Sequence, residues 1–262
     1  MDLKYFFIHT DLIEQQGLDI GFDLYDPGHL IWWAVIIISI VLWSGHYKKM
    51  IASSQAKARK FFAVAILCFE IIKDLILILG DAPMKGYLPL HLCGLAIFVM
   101  LADAFLDYRK LTTQMMALAF MPGAAAALLF CNWTEYPFFN FMNIHSFIFH
   151  GWIICYLVMI YRNGEVKPEY KTLWKIIGMI AVTAVPVFFI NKALEENYLF
   201  INEASEGSPL VFLWDIFGTR FGEAGYLISY GVLVIAVLHA VFAVYKLLDR
   251  KRIKGESSEH EN

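Results

Sequence analysis

A cysteine and a histidine inside apolar runs are the residues of this sequence best suited to covalent chemistry. Cys93 lies in residues 88–94 (LPLHLCG), and His150 lies in residues 147–151 (FIFHG). A neighbouring imidazole can deprotonate a thiol to the nucleophilic thiolate and then protonate a leaving group. The pair predicts acyl transfer or hydrolysis through an acyl-cysteine. The alternative is that Cys93 is a small buried hydrophobic residue and His150 a satisfied interior polar one.

Further polar residues are predicted to lie at the same end of the chain's apolar runs as this pair. One of them can orient the base, and another can stabilise the oxyanion that acyl transfer produces. Asn191, Asn197 or a tyrosine is suited to the second role, and the sequence leaves that choice open. The candidates for substrate binding or support are His29, His91, Asn191, Asn197, Tyr198 and Asp215.

A charged triplet lies within the second apolar run. Glu70, Lys73 and Asp74 are spaced i, i+3 and i+4, so they share one face of a helix. Charged groups at membrane depth can form a proton or ion relay, or a structural polar cluster between helices. Both readings stay open, and Asp103 is a further candidate for the cluster. His145 is predicted to lie at the membrane interface.

The four cysteines show neither a CxxC pair nor zinc-ligand spacing. No metal ion and no cofactor is predicted. A disulfide between Cys93 and Cys131 is an alternative use of these thiols, because both are expected on the same side of the membrane.

Composition places the candidate residues in a membrane protein. Hydrophobic residues make up 59% of the 262 and charged residues only 17%, against about 25% charged in soluble domains, and mean hydropathy is +0.58. A net charge of −3 offers no basic surface for nucleic acid. The first long apolar run is predicted to be a span rather than a cleaved signal peptide, since no small-residue cleavage site follows it.

Seven apolar runs predict an all-α, polytopic bundle with seven transmembrane helices. Most runs approach the ~20 residues needed to cross ~30 Å of hydrocarbon. Residues 1–28 are predicted to be an extracytoplasmic segment with a short interfacial helix, 29–248 the transmembrane domain, and 249–262 a disordered cytoplasmic polar tail. Six spans with one re-entrant segment is the alternative. The predicted spans are 29–43, 61–80, 89–106, 111–130, 143–161, 176–192 and 226–247.

Charge alternates between successive connections and predicts the orientation. Basic clusters follow the first, third, fifth and seventh runs, whereas the other connections are acidic or neutral. By the positive-inside rule the N-terminus is outside and the C-terminus inside, as expected for a multi-pass protein of the cell membrane. Cys93 and His150 then lie in the outer-leaflet half. The acidic residues of the loop 193–223 are Glu195, Glu196, Glu203, Glu206, Asp215 and Glu223.

An ordered set of motifs resembles the YwaF-like bacterial integral membrane proteins and their eukaryotic relative, transmembrane protein 164. The motifs are 88–93, 147–151, Asn191, 197–201, Ser208-Pro209 and Asp215. The resemblance implies a seven-span fold and a cysteine-dependent acyltransferase acting between phospholipids and lysophospholipids, with Cys93 as nucleophile and His150 as base. His91 stands where many bacterial members have Gln. A more distant likeness to androgen-induced membrane hydrolases implies hydrolysis as a variant.

Two non-enzymatic readings remain beside this one. The chain can be a transporter or receptor with a polar ligand cavity at the outer face, or a structural scaffold. The enzymatic reading predicts that the third and fifth runs are neighbours and that Cys93, His150 and Asn191 share a cavity. Membrane lipids are the predicted partners, and the sequence leaves the oligomeric state open.

Overall fold

The computed structural model describes the backbone of residues 5–82, 84–106, 108–205 and 208–260, and side chains within these ranges up to residue 249. All regular secondary structure in these ranges is helical, which confirms the all-α prediction. The helices are α1 (Thr10–Gln15), α2 (Pro27–Lys49), α3 (Ala52–Leu79), α4 (Leu92–Phe105), α5 (Arg109–Leu129), α6 (Phe141–Arg162), α7 (Tyr170–Leu194) and α8 (Thr219–His260).

Within the described residues, five helical segments are long and apolar enough to cross a membrane: α2, α5, α6, α7 and Val211–Asp249. The chain is therefore a multi-pass membrane bundle. Charged residues interrupt the apolar run of α3. α4 has only 14 residues, which cover about 21 Å of the ~30 Å of hydrocarbon. The count of seven spans and the orientation stay predictions.

Several helix limits differ from the sequence prediction. Pro27 starts α2 at a position where its missing N–H costs no hydrogen bond, so the first span is longer than 29–43. Most of the predicted loop 45–60 belongs to α2 and α3. The helix predicted from residue 89 begins at Leu92, because Leu88 is extended before Pro89 and His91 is extended as well.

The two ends of the bundle are named here by the charge of their connections. The acidic end carries the N-terminal segment and the connections after α3, α5 and α7. The basic end carries those after α2, α4 and α6. α1 is shorter than the predicted interfacial helix, and its Ile13 is buried beside Leu77 and Tyr136. Asn140 Nδ2 donates to the carbonyl of Ile8 at 2.9 Å, so the N-terminal segment is attached to the acidic end.

α6 is the central helix, packed against α2, α3, α4 and α5. Its approach to α2 depends on Gly151, since a Cβ there would lie 2.9 Å from Ile36 Cγ1. α7 and α8 are peripheral and expose large apolar side chains such as Val182 and Ile228.

Glu165 holds the basic end together. Its carboxylate accepts hydrogen bonds from Tyr47 of α2 at 2.9 Å and from Asn163 at 2.7 Å. Arg59 of α3 and Arg109 of α5 pair with the same carboxylate. Three helices, α2, α3 and α5, therefore meet at one carboxylate whose side chain is 14% exposed.

Asp103 does not join the Glu70 cluster, contrary to the suggestion from sequence. Its carboxylate accepts hydrogen bonds from Thr112 at 2.7 Å and Tyr156 at 2.6 Å. α4 thereby bonds to α5 and α6 towards the basic end.

The connection before α8 is more helical than predicted, with the turns Tyr198–Phe200, Val211–Leu213 and Trp214–Gly218. Gly222 interrupts α8 with φ 67°. The backbone of the tail predicted to be disordered continues α8 through His260. The side chains of that tail after residue 249, and Glu206 of the acidic connection, lie outside the described residues.

Candidate functional site

Cys93 occupies the first turn of α4. The first hydrogen bond within this helix runs from the Leu95 N–H to the His91 carbonyl at 3.0 Å. The backbone N–H groups of Leu92, Cys93 and Gly94 therefore have no partner within the helix. The positive end of the helix dipole favours negative charge on the Cys93 sulfur. The predicted position of Cys93, about one turn inside the helix, is corrected to the helix start.

The length of α4 predicts that its start is recessed from the membrane face at the acidic end. The other end of α4 leads directly into Arg109, which is part of the Glu165 network at the basic end. A helix of about 21 Å anchored there stops about 9 Å short of the opposite face of the hydrocarbon. This length predicts that Cys93 lies at membrane depth although it is in a first turn.

Close packing fixes the backbone around Cys93. A Cβ on Gly94 would lie 2.8 Å from the Cα of Pro89, so the turn before α4 folds tightly onto its first turn. A Cβ on Gly123 would lie 2.7 Å from Leu92 Cδ2, so α5 approaches the same turn closely. Two small residues thus hold the turn in place.

His150 has a defined ring orientation. Its Nδ1 lies 2.7 Å from the Ser146 carbonyl oxygen, and since a carbonyl only accepts, Nδ1 carries the proton. The ring stacks on Trp133 at 5.0 Å between centroids with an 8° angle between the planes. In the neutral ring Nε2 therefore keeps its lone pair and can act as a proton acceptor. His150 lies nine residues after Phe141, or about 14 Å along α6.

The structure places Cys93 and His150 on neighbouring helices. α4 packs against α6. Throughout the described side chains no hydrogen bond joins Cys93 to His150, and the catalytic pair stays a prediction.

The predicted triplet forms a buried charge cluster with one added member, His145. Lys73 Nζ lies 2.5 Å from Glu70 Oε1 and 3.1 Å from Asp74 Oδ1. Glu70 Oε2 lies 3.2 Å from His145 Nε2, an ion-pair distance at which the ring N–H is not aligned for a hydrogen bond.

His145, predicted to lie at the membrane interface, is buried against neighbouring aromatic side chains. It is 4% exposed, and its ring lies between those of Phe69 and Phe149 at 4.5 and 5.4 Å. Polar side chains in hydrocarbon tend to face the interior of the bundle. This rule is the feature of the sequence that could have predicted the burial of His145.

Asn191 organises the connection that follows α7. Its Nδ2 donates to the Tyr198 carbonyl at 2.9 Å and to Asn202 Oδ1 at 2.6 Å. Its Oδ1 accepts the Tyr198 N–H at 2.8 Å. Asn197 Nδ2 donates to the Glu203 carbonyl at 2.9 Å. Both N–H groups of Asn191 and one of Asn197 are therefore engaged within the connection after α7.

Tyr198 and His91 connect that segment to the start of α4. The His91 ring lies 5.1 Å from the Tyr198 ring and 5.2 Å from the Phe200 ring. The structure thus brings His91 and Tyr198 beside the turn that carries Cys93. Asn191 is hydrogen-bonded to the backbone of Tyr198.

Residues 24–246 match the family model described as the TMEM164 family. The chain belongs to the TMEM164 family. No curated protein and no solved structure matches it. Cys93, His150 and Asn191 all lie inside the matched range, which confirms the resemblance seen in the sequence.

Two predicted site residues of this TMEM164-family protein lie apart from Cys93. His29 Nε2 donates to the Leu128 carbonyl at 2.8 Å, and its Nδ1 accepts the Tyr25 N–H at 2.9 Å, so it joins α2 to α5. The backbone carbonyl of Asp215 accepts a hydrogen bond from Thr219 Oγ1 at 2.5 Å. The structure gives neither residue a contact with the start of α4.

The cysteines of the TMEM164-family chain are free, with no Cys93–Cys131 disulfide. Cys131 is buried, with its sulfur 3.5 Å from His29 Nε2, and burial raises the pKa of its thiol to about 11. In the part of the chain that is described, no group of three His, Cys, Asp or Glu residues is arranged to hold a metal ion.

An open cleft of about 650 Å³ lies at the acidic end. Lys192 and Glu223 form an ion pair across it at 2.7 Å. Neither Cys93 nor His150 lines this cleft, so the expectation that Asn191 shares a cavity with them is not met here. The lining residues are Asn191, Lys192, Glu195, Glu196, Asn197, Asn202, Glu203, Trp214 and Glu223.

Proposed function

We propose that this TMEM164-family protein is an integral membrane acyltransferase that moves fatty acyl chains between phospholipids and lysophospholipids. Cys93 is the nucleophile and His150 the base. The proposal is supported mainly by the position of Cys93. This residue lies in the first turn of α4, where the backbone N–H groups have no partner within the helix. α4 packs against α6, which carries the His150 imidazole in a defined orientation.

The first half-reaction forms an acyl-enzyme. The thiol proton of Cys93 passes to His150 Nε2 as the sulfur attacks the ester carbonyl of a phospholipid. The ester C–O bond breaks, and His150 returns the proton to the departing lysophospholipid oxygen. The acyl group stays on Cys93 as a thioester.

The second half-reaction reverses these steps with another acceptor. The hydroxyl of a lysophospholipid gives its proton to His150 and attacks the thioester, and the sulfur leaves and regains the proton. Water as acceptor gives a fatty acid instead, which is the lipid hydrolase variant.

The oxyanion of each step has donors in the start of α4. The backbone N–H groups of Leu92, Cys93 and Gly94 lack helical partners and lie at the positive end of the helix dipole. They replace Asn191 and Asn197, whose donors hold the connection after α7.

The proposed setting is the outer leaflet of the cell membrane. Charge alternation supports an outer acidic end. The length of α4 supports a position for Cys93 about 9 Å inside the hydrocarbon, so the ester carbonyl of a lipid has to move inwards from the headgroup level to reach the thiol. Apolar side chains exposed on the peripheral helices are suited to contact with acyl chains.

A receptor or transporter is the second candidate. The polar cleft that Asn191 lines supports it, because this cleft is large enough for a small ligand and lies apart from Cys93. Under this reading Cys93 carries no acyl group.

Acyl-enzyme trapping distinguishes the two. Purified protein is incubated in vesicles that contain a phospholipid with a tagged sn-2 acyl chain, and the reaction is quenched in acid. The protein is then digested, and mass spectrometry locates the label that hydroxylamine removes. We expect label on Cys93, none in Cys93→Ala, and label formation slower by about 100-fold in His150→Gln.

Cys68→Ser is the matched control, because Cys68 is an exposed cysteine with no proposed role. It should label like the wild type. Label spread over several cysteines, or retained in Cys93→Ala, contradicts the proposal and favours the receptor or transporter.

A further inference from the structure

A row of three aromatic side chains ends on the His150 imidazole. The Trp32 ring of α2 stacks on the Phe147 ring at 5.1 Å between centroids, with 5° between the planes. Trp133 meets the same Phe147 ring at 5.4 Å and 82°, and it stacks on His150. Residues 147 and 150 are three apart on α6 and therefore share one face of the helix. Trp133 covers this face at both positions.

The backbone around Trp133 is held by the N-terminal segment. Trp133 lies in the connection between α5 and α6, where its carbonyl accepts the Tyr136 N–H at 3.3 Å and closes a turn. The Phe22 N–H donates to the Thr134 carbonyl at 2.9 Å, and a Cβ on Gly21 would overlap the same carbonyl oxygen. The position of the indole is therefore set by segments outside α6.

Two contacts define the orientation of the His150 ring. The hydrogen bond from Nδ1 to the Ser146 carbonyl, at 2.7 Å, fixes which edge of the ring faces its own helix. The parallel Trp133 indole, at 5.0 Å and 8°, fixes the plane of the ring. Nε2, the proposed proton acceptor, is thereby held in one direction. The face of an indole also attracts positive charge, so it favours the ring in its protonated form.

We infer that Trp133 is a positioning residue for acyl transfer, whose indole holds the His150 ring with Nε2 available to the Cys93 thiol and stabilises the imidazolium that forms. This inference rests on the proposed function. In the step concerned, the sulfur–carbon bond to the ester carbonyl carbon forms as the thiol proton moves to Nε2. Trp133 neither gives nor takes a proton. Because it contributes to the alignment of the base, it affects the rate of this step rather than the binding of lipid.

Substitutions of Trp133 test the stack. Trp133→Leu removes the aromatic face, and we expect acyl-Cys93 to form slower by about tenfold or more at saturating lipid, because a misaligned base loses much of its effect. Half-saturation by lipid should not change. Trp133→Phe keeps a flat ring and should restore the rate to within about threefold of wild type.

A His150→Gln background separates positioning from a structural role. If Trp133 acts through the imidazole, Trp133→Leu should slow acylation by less than about twofold once the imidazole is absent. A residue that only supports the fold would cause the same slowing in both backgrounds. If Trp133→Leu does not fold, Trp133→Met replaces it, because a longer flexible side chain fills more of the space without providing a flat face.

Trp32→Leu is the matched control. Trp32 makes an equally parallel stack, but on Phe147 rather than on His150. Among the described residues its indole N–H, like that of Trp133, is buried without a hydrogen-bond partner. Trp32→Leu should lower the melting temperature about as much as Trp133→Leu does, and its folded fraction should acylate Cys93 within about twofold of the wild-type rate.

A folded Trp133→Leu or Trp133→Met protein that acylates Cys93 at the wild-type rate overturns the inference. Equal slowing in the His150→Gln background, or a Trp133→Phe protein as slow as Trp133→Leu, also overturns it. A wild-type protein that forms no acyl-Cys93 overturns the proposed function and this inference with it. The two failures are therefore distinguishable in one set of reactions.

Discussion

At the scale of single residues, the sequence shows which side chains could react more clearly than it shows which residues form hydrogen bonds with one another. Cys93 and His150 are recognisable because a thiol and an imidazole are unusual inside apolar runs. The partners of Asn191 are not recognisable, because its three hydrogen bonds go to Tyr198 and Asn202, in a connection whose conformation no local pattern determines.

Replacing Asn191 with the similarly sized leucine should destabilise the protein without removing the chemistry. The buried polar groups of Tyr198 would lose their partners, at a cost of about 2–4 kcal/mol. Thermal unfolding in detergent should show the lower melting temperature, while the folded fraction acylates Cys93 at a rate within about threefold of wild type. A loss of acylation at unchanged stability would instead make Asn191 an oxyanion donor.

At the scale of elements, the all-α multi-pass bundle is predicted correctly, while the start of α4 is not. Pro89 suggests a helix beginning there, but extended conformations at Leu88 and His91 delay it to Leu92. The burial of His145 is a related case, because only the packing of α3 beside α6 brings it to Glu70. Both features depend on contacts between segments distant in sequence.

The contact between α2 and α6 is sensitive to one methyl group. Gly151→Ala places a Cβ 2.9 Å from Ile36 Cγ1, and overpacking of this kind costs about 1–3 kcal/mol. We expect the melting temperature to fall, and Ile36→Val in the same chain to restore part of it.

Gly178→Ala is the control for that substitution, since a Cβ at this α7 position meets nothing within 4 Å. Removing a helical glycine there should leave stability unchanged or raise it by up to about 1 kcal/mol. Equal effects of the two alanines would contradict the close α2–α6 packing.

At the scale of the whole molecule, the bundle concentrates different groups at its two ends. Arginines gather around Glu165 at the basic end, while the acidic end holds the cleft and lies nearer to the recessed Cys93. Charge alternation in the sequence predicts this polarity without knowledge of any contact.

Cysteine accessibility in intact cells tests the orientation. In a chain without native cysteines, Glu203→Cys at the acidic end should react with an impermeant maleimide, because that connection is predicted to be outside. Ser53→Cys at the basic end should react only after the cells are opened. The reverse pattern would move the proposed site to the inner leaflet.

The 14-residue length of α4 has a consequence for the bilayer itself. A helix about 9 Å too short creates a hydrophobic mismatch beside longer neighbours, which lipids relieve by thinning locally or by letting headgroups sink. A sunken headgroup carries its ester carbonyl down towards Cys93. Membrane thickness thus becomes a determinant of how often lipid and thiol meet, and bilayers of shorter acyl chains bring them together more readily.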